Sequence, residues 1–324
     1  MKNNRRMFIL VEVILGLLVL VMISRIAQEN KQDNVHKVSV IVQDSDDRQW
    51  TAFKYGLKMA AQDTGVEMTV VNTEGRLTAE EEEKLIENEI NKGAEGIILQ
   101  PAEGKGAEKM LKKADKKVPL MLIGSAEGNQ GTNGSIAAVK PDNVRMGREL
   151  AQEILADYGG SLTGKTLGIF YDEATVPAGR QRMEGLQKTL EDAGAKISFT
   201  VSASSEEEGE KVLEQQKQVD ILAALDDSSL TTAGKCAGAN QLHGTLVYGI
   251  GNSTEVAYYL DTGIVECLLV PDEFNVGYQS LTAVAKKLEN YFSKMKSQMI
   301  SWVVIRKDTL FLKENQDILF TMSQ

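Results

Sequence analysis

Histidine and cysteine are scarce in this chain, with two of each: His36, His243, Cys236 and Cys267. No pair of them has metal-ligand spacing, which excludes a zinc site built from these residues. The cysteines read as two buried free thiols, a disulfide staying open if this part of the chain is extracytoplasmic. Positive charge is also short. Lys and Arg number 36 against 46 Asp and Glu, for a net charge of -10, and nucleic acid is thereby argued against, because phosphate binding needs clustered cations. Five prolines fit a chain of regular elements with few Pro-rich linkers. No Ser/His/Asp set stands at a plausible spacing, so neither enzyme activity nor a cofactor is expected.

What is present begins with residues 1–6, MKNNRR, followed by an apolar run over residues 7–23 broken only by Glu12. As a helix that run reaches roughly 25 Å, enough for a thin bilayer. The basic flank precedes it, so the N-terminus is expected in the cytoplasm and the remainder outside the cell membrane. Ser24-Arg25-Ile26-Ala27-Gln28 is a poor cleavage site and no Cys follows the run, so the reading is an uncleaved, single-pass signal-anchor. Glu12 is costly there, and is either protonated or marks a partner helix. Residues 25–34 read as a polar stalk.

From Lys37 onward strand and helix patterns alternate. Short β-branched or apolar runs stand at 38–42, 68–72, 96–100, 120–123, 166–171, 196–201, 220–225, 246–249 and 265–270. Trp50, Phe53, Leu57 and Ala61 form one face of a helix after the first of them. Thr78 and Glu81 make a capping box, and Asp142 is a candidate N-cap for a helix carrying Val144, Gly147, Leu150, Ala151 and Ile154. A helix starting at Arg180 carries Met183, Leu186 and Leu190, with Gly194 as its stop. The repeat is that of βαβ units, and so of parallel α/β sheets covered on both faces. A long helical stretch over residues 272–296, then short runs at 302–305 and 310–312, point to a late crossing between two lobes.

Residues 159–166, GGSLTGKT, match the phosphate-loop pattern letter for letter. That chemistry needs a strand before the loop and a helix after it; here a helix precedes and a strand follows, so the reading is a Gly-rich turn. Glu80, Glu81, Glu82 and Glu83 suit the start of a helix, where negative charge meets the dipole. Asn133 and Asn252 match glycosylation sequons by pattern only. Ligands of open α/β sheets bind just past the carboxyl ends of strands. At those tips stand Asp44, Asp46, Asp47, Gln49 and Trp50, then Gln100 and Glu103, Ser125, Asp226 and Asp227, Asn252, and Asp272. Carboxylates and amides bond hydroxyls well, and an aromatic face covers the C–H side of a sugar or similar ring, so these tips form a candidate cleft for a small polar molecule.

Several segments carry a resemblance. Residues 38–65, with an aromatic closing the first loop and a helix with a central Gly, NEINKGAEGIILQP at 88–101, VPLMLI at 118–123, KPDNVRMG at 140–147, RQRMEGL at 180–186, the strand and loop at 220–227, and Tyr248-Gly249-Ile250 follow one another in the order and spacing of the type I periplasmic binding proteins, the ribose/galactose-type sugar-binding family. The chain resembles a divergent, membrane-anchored member. The resemblance implies an α/β fold of two Rossmann-like lobes, each a doubly wound mostly parallel sheet, joined by a hinge of three crossings. Its expected division is residues 1–34 for basic tip, anchor and stalk, 35–139 plus about 272–309 for lobe 1, and 140–271 plus about 310–324 for lobe 2.

The resemblance further implies a ligand clamped between lobes, a sugar or sugar derivative, presented to an ABC permease or a sensor histidine kinase. It places the family's aromatic on Trp50, beside Gln49, and its arginine on Arg182. The ligand set expected is Asp46, Gln49, Trp50, Gln100, Glu103, Ser125, Arg182, Asp226, Asp227, Asn252 and Asp272. The departures are Gly124-Ser125 where the family has Asp-Arg, Leu225 where it has Asn, Gly251 where it has Asp, and Pro271 where it has Gln. Each lost acceptor weakens binding by about 1–3 kcal/mol. They leave open an alternative, a membrane-tethered signalling module with a degenerate cleft whose lobes bind a receptor. A repressor with similar lobes would need a helix-turn-helix where this chain has its apolar run.

Overall fold

The structure is a computed structural model and describes residues 22, 35–45, 50–75, 77–102, 104–124, 136–173 and 176–319. The expected anchor and stalk, apart from Met22, lie outside the described residues. Among the described residues no helix is long and apolar enough to cross a membrane.

Two six-stranded sheets organise the body. The first runs β11-β5-β4-β3-β1-β2, built from β1 (Lys37–Ile41), β2 (Glu67–Val70), β3 (Gly96–Leu99), β4 (Leu120–Ile123), β5 (Ala138–Pro141) and β11 (Gln298–Ile300). All its pairs are parallel. The second runs β12-β10-β9-β8-β6-β7, from β6 (Thr166–Asp172), β7 (Lys196–Ala203), β8 (Ile221–Ala224), β9 (Leu246–Ile250), β10 (Val265–Pro271) and β12 (Trp302–Ile305). Only β12 is antiparallel to its neighbour, β10. The central strands are apolar throughout, as both faces are covered: β3, β4 and β8 are buried at every position.

In lobe 1, α1 (Thr51–Thr64) packs against α9 (Glu273–Glu289); in lobe 2, α4 (Asn143–Asp157) packs against α5 (Val176–Asp192). The chain crosses between the sheets three times: after Pro141, after Pro271, and at Ser301 between β11 and β12. Each of the first two crossings begins a helix capped by an aspartate, Asp142 accepting from the N–H of Arg145 and Asp272 from that of Asn275. The expected capping box at Thr78 and Glu81 is formed, and residues 159–165 lie in the turn between α4 and β6, which Thr166 opens.

Three expectations need correction. The helix expected over 272–296 stops at Glu289, where Asn290 turns extended and a turn leads into edge strand β11. Residues 302–305 belong to the second sheet, because Leu268 to Pro271 pair with Ile305 to Trp302; the sheets therefore divide at Ser301, earlier than residue 309. Residues 310–312 form a turn, with Leu310 buried in the second core. The cysteines are free. Cys236 and Cys267 belong to different core clusters of lobe 2. Burial pushes their thiols up to about 11 and about 12, so neither is a reactive thiolate at neutral pH.

Candidate functional site

A cleft of about 130 Å³ opens between the lobes, at the carboxyl ends of both sheets. Its lobe 1 wall starts with the chain leaving β1. Gln43 donates its N–H to Oε1 of Gln100 at 2.8 Å, and Trp50 returns its ring Nε1–H to the carbonyl of Gln43 at 3.0 Å. The indole packs edge-on against Phe53, with ring centroids 5.5 Å apart. Phe53 is wholly buried, so the core of lobe 1 fixes the orientation of the Trp50 face. Beneath Gln100 and Pro101, Glu82 of α2 (Ala79–Asn91) accepts the N–H of Ala102 with both oxygens, at 2.9 and 3.0 Å. Burial lifts that carboxyl to about 8, against the opposing effect of the Ala102 bond.

The lobe 2 wall is organised by Arg182. Its Nε donates to Oδ1 of Asn143 at 2.9 Å and its Nη1 to the carbonyl of Leu225 at 2.6 Å. Burial lowers its pKa, while nearby Asp226 and Glu273 raise it; guanidinium stays charged in proteins. Asp226 begins α7 (Asp227–Gly238) with a capping box, accepting from the N–H groups of Ser229 and Asp172 at 2.8 and 2.7 Å. Burial raises its pKa and these donors, with Arg182, lower it. Asp227 accepts from the N–H groups of Asn252 and Ser253 at 2.7 and 2.8 Å, which ties the loop after β9 to the start of α7.

Six expected site residues therefore line one cleft: Trp50, Gln100, Arg182, Asp226, Asp227 and Asn252. Asp46, Gln49, Glu103 and Ser125 lie outside the described residues. Asp272 does not line it. Its two oxygens turn to the N–H and the side-chain amide of Asn275, at 3.0 and 2.7 Å, because the first turn of α9 has N–H groups with no helical acceptor.

Asn143 and Glu273 also line the cleft and were not expected there. The signal for them is the repeated Pro-Asp, at 141–142 and 271–272: each aspartate caps a helix at a crossing, so the next residue opens that helix at the cleft. Glu273 is partly buried, and burial pushes its carboxyl up to about 7, with Arg182 pulling down and Asp272 pushing up. A carboxyl raised on folding contributes stability fully present below about pH 4.5 and lost as pH rises through about 7. Glu273→Gln removes that dependence. The variant is expected to match wild type near pH 4.5 and to exceed it at pH 8 by on the order of 1–2 kcal/mol, read as a pH series of melting temperatures. Parallel curves for the two proteins would refute the assignment.

Comparison with known proteins places this geometry. A family model described as periplasmic binding protein domain matches residues 38–291. A carbohydrate transporter solute-binding protein from Agrobacterium radiobacter, solved with D-arabinose, is 18% identical, with a TM-score of 0.78 over 88% of this chain and 99% of that one. A galactofuranose-binding protein is 16% identical, with a TM-score of 0.77 over 89% and 100%. The XylFII-LytSN complex contains a chain that is 21% identical, with a TM-score of 0.71 over 85% and 99%. No match to a curated protein sequence is found.

Proposed function

The chain belongs to the periplasmic binding protein domain family, and from that premise we propose that its lobes close on a sugar or sugar derivative held in the interlobe cleft. The observation that carries the reading is the composition of the cleft. Lobe 1 brings an oriented indole and an amide, and lobe 2 brings Arg182, two carboxylates and Asn252, the aromatic face and hydrogen-bonding groups that a polyhydroxylated ring requires. The ligand touches both lobes, so its binding free energy favours the closed form, with the three crossings as the hinge. The role is binding and presentation, not catalysis. The relatives solved with D-arabinose and named for galactofuranose support this ligand class.

Residues 7–23 then serve as the single-pass anchor that holds the lobes outside the cell membrane. The closed form is read by a membrane partner, an ABC permease or a sensor histidine kinase. The relative solved as the XylFII-LytSN complex supports a protein partner. A second reading, a receptor-binding module without a small ligand, is favoured by two features. Arg182 already spends two donors on Asn143 and Leu225, and Gly124 stands in the cleft where the family carries an acidic side chain.

A thermal-shift panel of pentoses and hexoses, headed by D-arabinose, separates the two. At a hundredfold excess over the Kd a bound ligand adds about 2.7 kcal/mol, a rise of several degrees. Absence of a shift with every sugar, at concentrations up to roughly 10 mM, which still reports weak binding, would sink the ligand reading and leave the receptor module.

A further inference from the structure

The end of α9 opposite the cleft carries an aromatic and basic turn. Tyr291 and Phe292 are 79% and 91% exposed, the two most exposed large hydrophobic residues among those described. The turn is built to hold them outward. Ser293 donates its N–H to the carbonyl of Asn290 at 2.8 Å, and Phe292 donates its N–H to Oδ1 of Asn290 at 3.1 Å. The Lys287 ammonium reaches the carbonyls of Tyr291 and Ser293 and sits 4.7 Å from the Tyr291 ring centroid. Lys286, Lys294 and Lys296 are exposed around the pair, a local excess of cations in a chain whose net charge is -10.

The chain enters the fold at this same pole. Gly96 pairs with Val38 at the start of the sheet and lies against Val284 and Leu288 near the end of α9. The strands run from this pole towards the cleft, so β1 begins here and the N-terminal segment joins the body here. Residues 24–36, fully extended, span about 45 Å at most, which lets this pole reach the surface of a bilayer that holds residues 7–23.

We propose that the Tyr291–Phe292 turn and its lysines form a docking surface for an anionic lipid bilayer, seating lobe 1 on the membrane with the cleft facing away from it, an orientation in which the closed form is read by the extracytoplasmic part of a sensor and not by a permease within the bilayer. The inference rests on the membrane-anchor reading above. Aromatic rings enter the headgroup layer while lysine stems lie along it with their ammonium groups on lipid phosphates. Electrostatic attraction to such a surface is worth roughly fivefold in binding for each lysine and decays within a Debye length.

The test uses the full chain in lipid nanodiscs of phosphatidylcholine, with and without phosphatidylglycerol. Glu289→Cys is labelled with an environment-sensitive fluorophore, the two native thiols being buried, and quenching by doxyl-labelled lipid is read. The expected result is quenching in phosphatidylglycerol discs that high salt reverses. Lys294→Glu with Lys296→Glu, or Phe292→Ser, removes most of it, and Lys294→Arg with Lys296→Arg keeps it. Equal quenching in both lipids, no quenching in either, or indifference to charge reversal overturns the proposal, the last two pointing to a protein partner for the turn. Retention of the chain in the disc at high salt reads the anchor alone. Should it not be retained, the same label is read on added phosphatidylglycerol vesicles, so loss of the anchor and loss of the docking surface are separate results.

Discussion

Arg182→Ala is expected to lower the melting temperature by roughly 10 °C and to abolish any sugar-induced shift. Arg182 is 8% exposed and holds three things at once: the side chain of Asn143 at a crossing, the carbonyl of Leu225 at the end of β8, and the charge balance of Asp226. Alanine leaves the Leu225 carbonyl without that donor and a buried carboxylate without its nearest cation. Breaking a buried charged network in this way costs about 3–5 kcal/mol, and for a body of this size each kcal/mol moves the midpoint by about 2–4 °C. The conservative exchange is informative as well. Arg182→Lys keeps the charge but offers no planar fork to span Asn143 and Leu225, so it should recover less than half of the lost stability and little of the ligand response. A wild-type melting temperature in Arg182→Ala would mean that Asp226 does not depend on the guanidinium, and the electrostatic account of the cleft would fall.

Much of this architecture is local in origin and therefore legible along the chain. Residues 38–42 are β-branched and bounded by a polar loop, and no other reading satisfies both the period and the Trp50, Phe53, Leu57 face that follows; the structure places β1 and α1 there. The phosphate-loop pattern at 159–166 is resolved by the order of its neighbours, which is also local. What was not legible depends on distant partners. Residues 302–305 are a good strand in either lobe, and only pairing with β10 assigns them to lobe 2. Edge strand β11 is three residues long, too short to carry a period, and β5 reads Ala-Val-Lys-Pro, without the unbroken apolar run that marks the equally short β4. The cleft shows the same division. Trp50 is conspicuous by type and position and Arg182 follows from the family resemblance, whereas Asn143 and Glu273 matter only because the chain changes lobes one step before them. Asp272 has the right chemistry for a ligand and is consumed by its own helix.

The second large effect lies in the helix pair that carries Arg182. A β-carbon on Gly147 would overlap the backbone carbonyl of Arg182, and one on Gly185 the carbonyl of Val144. Each glycine therefore receives the backbone of the other helix, and the two helices approach more closely than any side chain would allow. Lobe 1 repeats the device: Gly56 receives the carbonyl of Phe274 and Gly277 that of Phe53. The repeat extends to the crossings, since Gly147 follows Asp142 as Gly277 follows Asp272. The methyl of Gly147→Ala cannot be absorbed by a rotamer change, because what it meets is main chain, so α4 and α5 must move apart. The expected loss is about 3 kcal/mol, a fall of roughly 6–12 °C, with the lobe 2 transition separating from that of lobe 1 in calorimetry. The displacement acts on the backbone of Arg182, so sugar affinity should fall by about tenfold or more at temperatures where the variant is still folded, equivalent to about 1.4 kcal/mol. Gly277→Ala supplies the comparison. It should cost similar stability but weaken lobe 1 first, leaving the Arg182 bonds to Asn143 and Leu225 in place. If both variants melted as wild type, the close backbone approach would be refuted; if both weakened sugar binding equally, the position of Arg182 would not be what the α4–α5 contact controls.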